Sequence, residues 1–175
     1  INNKKNGVAT FYDLKKQVQF KGIYKNNKLN GYCEFFKDGV ITMKGEFKNN
    51  HITKGNMYYE SGRLKYSGIF NANERYHNNG TFYFDNSENS IRYQGQYLNG
   101  KYHGKGILYY GNGLKEYDGE FNYGKYQGGG TLYWDSTNKP KYCGSWSNGL
   151  RHGYGVLFDE EGTMIYEGNW NYGEM

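Results

Sequence analysis

The sequence predicts an all-β protein: an elongated, single-layer antiparallel sheet of stacked β-hairpins, open and twisted, with a concave groove. Two observations lead to this fold class. The 175 residues include 21 tyrosines, 10 phenylalanines and 3 tryptophans beside 27 glycines and a single proline, and aromatic residues between glycine and asparagine clusters are typical of short strands. A motif of about 24 residues also recurs along the chain, which indicates a repeat architecture.

The repeat is clearest in "YQGQYLNGKYHGKGILYYGNG", residues 93–113. Copies begin near residues 20, 43, 66, 93, 117, 142 and 166, and residues 6–19 hold a partial copy. Because each copy is too small to bury an apolar face alone, neighbouring copies must stack on one another. We therefore interpret the whole chain, residues 1–175, as one repeat array.

Positions 1–5 of each copy, counted from its first aromatic or apolar residue, are predicted to form the first strand of a hairpin. Position 3 is glycine in all seven copies. Position 5 is aromatic in every copy: Tyr24, Phe47, Phe70, Tyr97, Phe121, Trp146 and Trp170. Since side chains alternate along a strand, positions 1, 3 and 5 share one face of the sheet.

Position 8 predicts the reversal of the chain, because it is always asparagine or glycine: Asn27, Asn50, Asn73, Gly100, Gly124, Gly149 and Gly173. These residue types tolerate the positive φ that a tight turn requires.

Positions 14–18 are predicted to form the second strand. Position 14 is small in every copy and position 16 is apolar, while position 17 carries a second aromatic row on the opposite face. We expect position 5 to face position 14 and position 3 to face position 16, so that each large side chain covers a small one.

The pattern YxGxW-xxG-xxxGxG resembles the MORN (membrane occupation and recognition nexus) repeat. Residues 93–113, 117–134, 142–158 and 166–173 match it closely, whereas residues 20–39, 43–62 and 66–84 lack the glycine at position 8. The resemblance implies an elongated antiparallel sheet with a groove. It also implies a scaffold at membrane junctions, cytoskeletal structures or axonemes, with phosphoinositide binding in some members.

No catalytic motif stands out in the sequence. "GKYHGKG" lacks both the GK[ST] ending and the helix that a phosphate loop needs. The four histidines, at positions 51, 77, 103 and 152, have no paired spacing for a metal, and Asp118 and Glu120 are expected as solvated charges on one strand face. We therefore predict a non-catalytic protein with neither cofactor nor metal.

The first functional hypothesis is a scaffold that binds protein partners, cytoskeletal ones among them, along the aromatic groove. The residues predicted to line that groove are Tyr93, Tyr97, Tyr117, Phe121, Tyr142, Trp146, Tyr166 and Trp170. Unpaired outer strands of an open sheet attract other chains, which predicts end-to-end homo-oligomers.

An alternative is a peripheral module for anionic phospholipid. The net charge is +5, and lysines concentrate near the N-terminus, with Lys15, Lys16, Lys21, Lys25 and Lys28 as candidate contacts. A third reading is an aromatic-repeat carbohydrate binder. Because no dense basic block occurs, nucleic acid is not expected as a partner.

The two cysteines favour an intracellular protein, either cytoplasmic or associated with cytoskeleton or membrane. In an open array Cys33 and Cys143 would lie about 48 Å apart, far beyond the roughly 7 Å between Cα atoms that a disulfide allows. A reduced compartment is therefore favoured.

Overall fold

A computed structural model describes residues 4–71 and 76–175. Those residues contain fifteen β-strands and no helix, so none of them provides a helix that could cross a bilayer. The chain divides into two compact units, residues 1–89 and 90–175. The prediction of an all-β antiparallel sheet of hairpins is confirmed.

The first unit contains eight strands. They are β1 Gly7–Tyr12, β2 Val18–Lys25, β3 Lys28–Leu29, β4 Gly31–Lys37, β5 Val40–Lys48, β6 His51–Tyr58, β7 Leu64–Phe70 and β8 Tyr76–Tyr83. Within this unit the strands pair antiparallel in the order β1-β2-β4-β5-β6-β7-β8, and the short β3 pairs with β2.

The second unit contains seven strands, which also pair antiparallel in chain order. They are β9 Ile91–Leu98, β10 Lys101–Tyr109, β11 Lys115–Asn122, β12 Lys125–Tyr133, β13 Pro140–Ser147, β14 Leu150–Phe158 and β15 Met164–Trp170. Each complete copy of the repeat in this unit is one hairpin, and a five- or six-residue connection leads to the next.

In the hairpins whose turns lie wholly within the described residues, positions 7 and 8 alone form the turn, so the chain reverses in two residues. Between β7 and β8, which pair as far as Phe70 and Tyr76, the connection has five residues. In the β11–β12 turn, Tyr123 and Gly124 have φ values of 48° and 89°, and in the β13–β14 turn Asn148 and Gly149 have 53° and 89°. Positive φ at both central residues is the geometry that matches strand twist. The positive φ expected at position 8 is confirmed for every copy except the one with Asn73, which lies outside the described residues.

The predicted register is wrong by two residues. Position 3 faces position 14, as Gly119 faces Gly130, and position 1 faces position 16, as Tyr117 faces Leu132. The two-residue turn draws positions 9–13 into the second strand, so Phe121 at position 5 faces Tyr126 at position 10. A bulge after Gly119 then sets the remaining pairs. Because side chains alternate along a strand, a register shift of two residues leaves each side chain on the face that was predicted for it.

Positions 3 and 14 of successive copies form a continuous row of small residues across each unit, here called the glycine row. In the second unit the row is Gly95, Gly106, Gly119, Gly130, Gly144, Gly155 and Gly168. In the first unit it includes Ala9, Gly22, Cys33, Gly45, Gly55, Gly68 and Gly80. A large side chain at these positions would collide with the aromatic layer above.

The ring at position 1 covers the glycine row. The Tyr117 hydroxyl reaches across Gly119 and donates a hydrogen bond of 3.1 Å to the carbonyl of Glu120 at position 4. The same bond recurs from Tyr66, Tyr93, Tyr142 and Tyr166. The expectation that a ring covers small residues therefore holds, but the ring belongs to position 1 and not to position 5.

Within each unit, hydrogen bonds tie neighbouring hairpins together. The N–H at position 8 donates to the position-10 carbonyl of the preceding hairpin, as Gly149 does to Tyr126 at 2.9 Å. The Trp146 indole N–H also donates to the carbonyl of Gly130 at 3.1 Å. Turn and ring together therefore fix the spacing of neighbouring hairpins.

Candidate partner-binding surface

The aromatic side of the sheet is the face that carries positions 1, 5, 10 and 16. Seven of the eight predicted groove residues are buried there, and Tyr166 is half-buried. Their rings meet edge to face within a hairpin, as Tyr117 and Phe121 do at 5.1 Å, and between hairpins, as Tyr117 and Trp146 do at 5.6 Å. This geometry suits aromatic quadrupoles. The eight residues therefore form the layer that holds the hairpins together.

A second aromatic layer lies on the first and was not anticipated from the sequence. At position 10, Tyr126 stacks on Tyr117 with ring centroids 3.9 Å apart, and Tyr102 stacks on Tyr93 at 3.8 Å. Tyr76 stacks on Tyr66 in the same way. The sequence does contain a signal for this layer, namely a tyrosine two or three residues after the turn in each of these copies. It was missed because positions 9–13 were assigned to the loop.

The accessible part of the aromatic side is made by positions 10 and 16. In the second unit these half-buried residues are Tyr102, Leu108, Tyr126, Leu132, Arg151 and Leu157, here called the outer strip. The buried rings below hold the outer strip in place. An incoming group would meet the outer strip before it met any of the eight predicted residues.

Burial favours the neutral phenol at several tyrosines of the two layers. Burial raises the pKa of Tyr76 to about 12, with a further contribution from Tyr59. Burial also raises the pKa of Tyr126, and its hydroxyl donates a 2.8 Å hydrogen bond to the Glu116 carboxylate, whose charge acts in the same direction. The outer strip therefore presents stacked rings with hydrogen-bonding hydroxyls.

The five candidate lipid-binding lysines do not gather in one patch. Lys15 and Lys16 lie in the connection between β1 and β2, whereas Lys25 and Lys28 flank the turn at the other end of β2, roughly 26 Å away for an eight-residue strand. Lys21 lies between them on the opposite side, with its Nζ 5.9 Å from the centroid of the Phe36 ring.

A smaller basic group does form at the turns of the first unit. Lys5 lies beside this turn, because its N–H donates to the Asn27 side chain, and Lys25, Lys28 and Lys48 flank the β2–β3 and β5–β6 turns. No acidic residue occurs in residues 4–6, 24–30 or 47–51. These four lysines are called the turn lysines.

The opposite side of the second unit carries a cavity of about 490 Å³ over the glycine row. Gln94, Lys105, Asp118 and Glu120 stand around it. Asp118 is engaged by Lys115, whose Nζ lies 2.9 Å from its carboxylate. Within the described part of the chain, no three histidine, cysteine or acidic side chains gather as metal ligands would.

Comparison with known families agrees with the geometry. The model of the family described as MORN repeat matches residues 20–41, 93–115, 117–139 and 142–164, which together make up just over half of the chain. Comparison with curated proteins gives no match. The copies that begin near residues 43 and 66 lie outside the matched ranges, yet they form the same hairpins as β5–β6 and β7–β8.

Proposed function

Because the chain belongs to the MORN repeat family, we propose that it is a non-catalytic scaffold whose outer strip binds a protein partner. The observation that carries the proposal is the arrangement of the outer strip, in which half-buried rings and leucines rest on a fully packed layer. Rigid aromatic groups lose little conformational entropy on binding and dominate the energy of many interfaces.

The test replaces two rings of the outer strip by a residue that the protein itself carries at the same position. Tyr102→Leu with Tyr126→Leu removes both upper rings, and Leu29 occupies position 10 in the first unit. The matched control is Tyr109→Leu with Tyr133→Leu, which makes the same changes at position 17 on the opposite side of the same hairpins.

Each variant would serve as bait in an intracellular extract, and bound proteins would be identified by mass spectrometry. We expect one or more proteins to be retained by the wild type and the control but lost from the Tyr102/Tyr126 variant. Identical protein sets on all three baits would contradict the proposal. Thermal melting of both variants establishes that they are folded.

A second candidate, a surface for anionic phospholipid, is favoured by the distribution of charge. Residues 1–89 contain 14 basic and 8 acidic residues, for a net charge of +6, whereas residues 90–175 contain 8 basic and 9 acidic residues, for −1. The turn lysines lie in segments of the first unit that contain no acidic residue. Each lysine near an anionic membrane contributes about 1 kcal/mol.

Flotation with vesicles tests this candidate. Phosphatidylcholine vesicles with about one fifth phosphatidylserine should bind the wild type at low salt, and pure phosphatidylcholine vesicles should not. Lys25→Gln, Lys28→Gln and Lys48→Gln together should abolish flotation, while Lys15→Gln with Lys16→Gln at the other end of β2 should have a smaller effect. Equal flotation of both variants would exclude the turn lysines as the lipid surface.

A further inference from the structure

One hairpin of the second unit departs from the chemistry of its neighbours at two positions on the aromatic side. In the repeat at 117–133, Tyr126 at position 10 donates to Glu116, the residue just before position 1. In the next repeat the equivalent residues are Arg151 and Lys141. A donor and an acceptor are thus replaced by two cations.

Aromatic rings hold the guanidinium of Arg151. Its Cζ lies 5.2 Å from the centroid of the Tyr142 ring and 4.8 Å from that of Trp170. Arg151 also pairs across the strands with Trp146. Cation–π contacts of this kind fix the plane of a guanidinium and leave its N–H groups able to donate.

No carboxylate neutralises Arg151 in the described part of the chain. Glu167 on the neighbouring strand β15 accepts from the Tyr154 hydroxyl, whereas Asp159 and Glu160 lie beyond the far end of β14. Burial lowers the pKa of Arg151, and Tyr142 is the one group that opposes this effect. A half-buried cation without an anion is costly for a fold to retain.

Lys141 is a second cation that lies against an aromatic ring. Its Nζ lies 3.9 Å from the centroid of the Trp134 ring. The buried indole N–H of Trp134 finds no acceptor among the described residues. This repeat therefore contributes two cations held against aromatic rings, and the preceding repeat contributes the unpaired buried indole of Trp134 but neutralises its own position-10 side chain with Glu116.

We propose that Arg151, assisted by Lys141, binds a carboxylate or phosphate group of a partner on the aromatic side of residues 141–158. The guanidinium edge matches the two oxygens of either group, and the surrounding rings shield one side of it from water, which strengthens a charge-assisted hydrogen bond. This inference rests on the proposed scaffold function, because Arg151 is part of the outer strip. It adds the chemistry of the partner group.

The protein contains its own reporter for this site. All three tryptophans, Trp134, Trp146 and Trp170, contact or pair with Arg151 or Lys141. Tryptophan fluorescence would be followed while the whole chain is titrated with hexaglutamate or with inorganic phosphate, and with hexaglutamine as a neutral probe. We expect a saturable change with at least one anionic probe and none with hexaglutamine.

Arg151→Tyr is the decisive variant, because tyrosine occupies position 10 in three other hairpins and should preserve the fold. This substitution should lower the affinity for the anionic probe by about tenfold or more, because a charge-assisted hydrogen bond is lost. Lys141→Glu, which restores the acceptor seen at Glu116, should also weaken binding. Lys125→Gln, an exposed lysine beside a turn, removes one charge elsewhere and should leave binding nearly unchanged.

The pattern of response identifies the ligand. A response to hexaglutamate alone assigns a carboxylate, a response to phosphate alone assigns a phosphoryl group, and a response to both supports the shared oxyanion chemistry. No saturable change with either probe, or equal binding by folded Arg151→Tyr, would overturn the proposal. Those results would leave the scaffold function open, since its test depends on Tyr102 and Tyr126.

Discussion

At the residue scale, the glycine row shows most directly how the sequence determines the packing. A Cβ added at Gly119 would lie 2.6 Å from the Cα of Gly130 and 2.7 Å from the Tyr117 hydroxyl. The glycine therefore makes room for backbone and for the ring at position 1. Leu132, the side chain that the sequence-based register placed opposite Gly119, faces Tyr117 instead.

We expect Gly119→Ala to reduce the free energy of unfolding by about 1–3 kcal/mol, the usual cost of overpacking. Gly129→Ala is the matched control in the same hairpin, because an added Cβ there meets no atom within 4 Å. It should be neutral or slightly stabilising, since alanine restricts the unfolded chain. Urea unfolding of both variants would check this, and equal stability would contradict the role of the glycine row.

The buried phenols predict a loss of stability at alkaline pH. Burial raises the pKa values of Tyr66, Tyr76, Tyr93 and Tyr117 above the ordinary value of 10.0. The folded state thus keeps protons that the unfolded chain releases, so their stabilising effect is full below pH 10 and is lost as the pH rises through the folded pKa values.

Thermal melting at increasing pH, together with the near-ultraviolet absorbance of phenolate, measures this effect. We expect the melting temperature to fall above pH 10 and the buried phenols to ionise together with unfolding. A smooth titration of all 21 tyrosines near pH 10, with the fold intact, would contradict it.

At the scale of one hairpin, the two-residue turn determines the register. Gly149 has a φ of 89° and donates its N–H to the preceding hairpin. Gly149→Val should cost about 1–3 kcal/mol, because a β-branched residue is strained in this conformation. Gly149→Asn should be tolerated far better, since Asn27 and Asn50 occupy position 8 with φ values of 66° and 75°. Urea unfolding should separate the two variants, and equal losses would show that the turn geometry is not limiting.

The same turn explains how much of the molecule was predictable. Repeat period and strand alternation follow from residue types alone, so the hairpins and the faces of positions 1, 3, 5, 14, 16 and 17 were predicted correctly. The register needed the length of the turn and the bulge at Gly128 and Gly129, which depend on backbone conformation. The position-10 residues of the outer strip were missed for that reason, because Tyr102 and Tyr126 were assigned to a loop.

At the scale of the whole molecule, contacts run between neighbouring hairpins. The Trp146 indole bonds to the adjacent hairpin, and the turn at Gly173 bonds to Arg151 one hairpin earlier. Stability in such an array is close to a sum of hairpin and interface contributions. End-to-end association through outer strands stays a prediction, which light scattering at high protein concentration would check.

This local pattern predicts that residues 90–175 fold without the first unit. The fragment contains seven strands, three complete hairpins with their connections and the whole set of tryptophans. It also forms a compact unit by itself. Because each ring contact of Trp146 lies within the fragment, with Tyr117, Tyr126 and Tyr142, its near-ultraviolet circular dichroism should retain the tryptophan bands of the full chain. Gly119→Ala should reduce the stability of the fragment as it does in the full chain, whereas a fragment with the spectrum of an unfolded peptide would show that the second unit depends on residues 1–89.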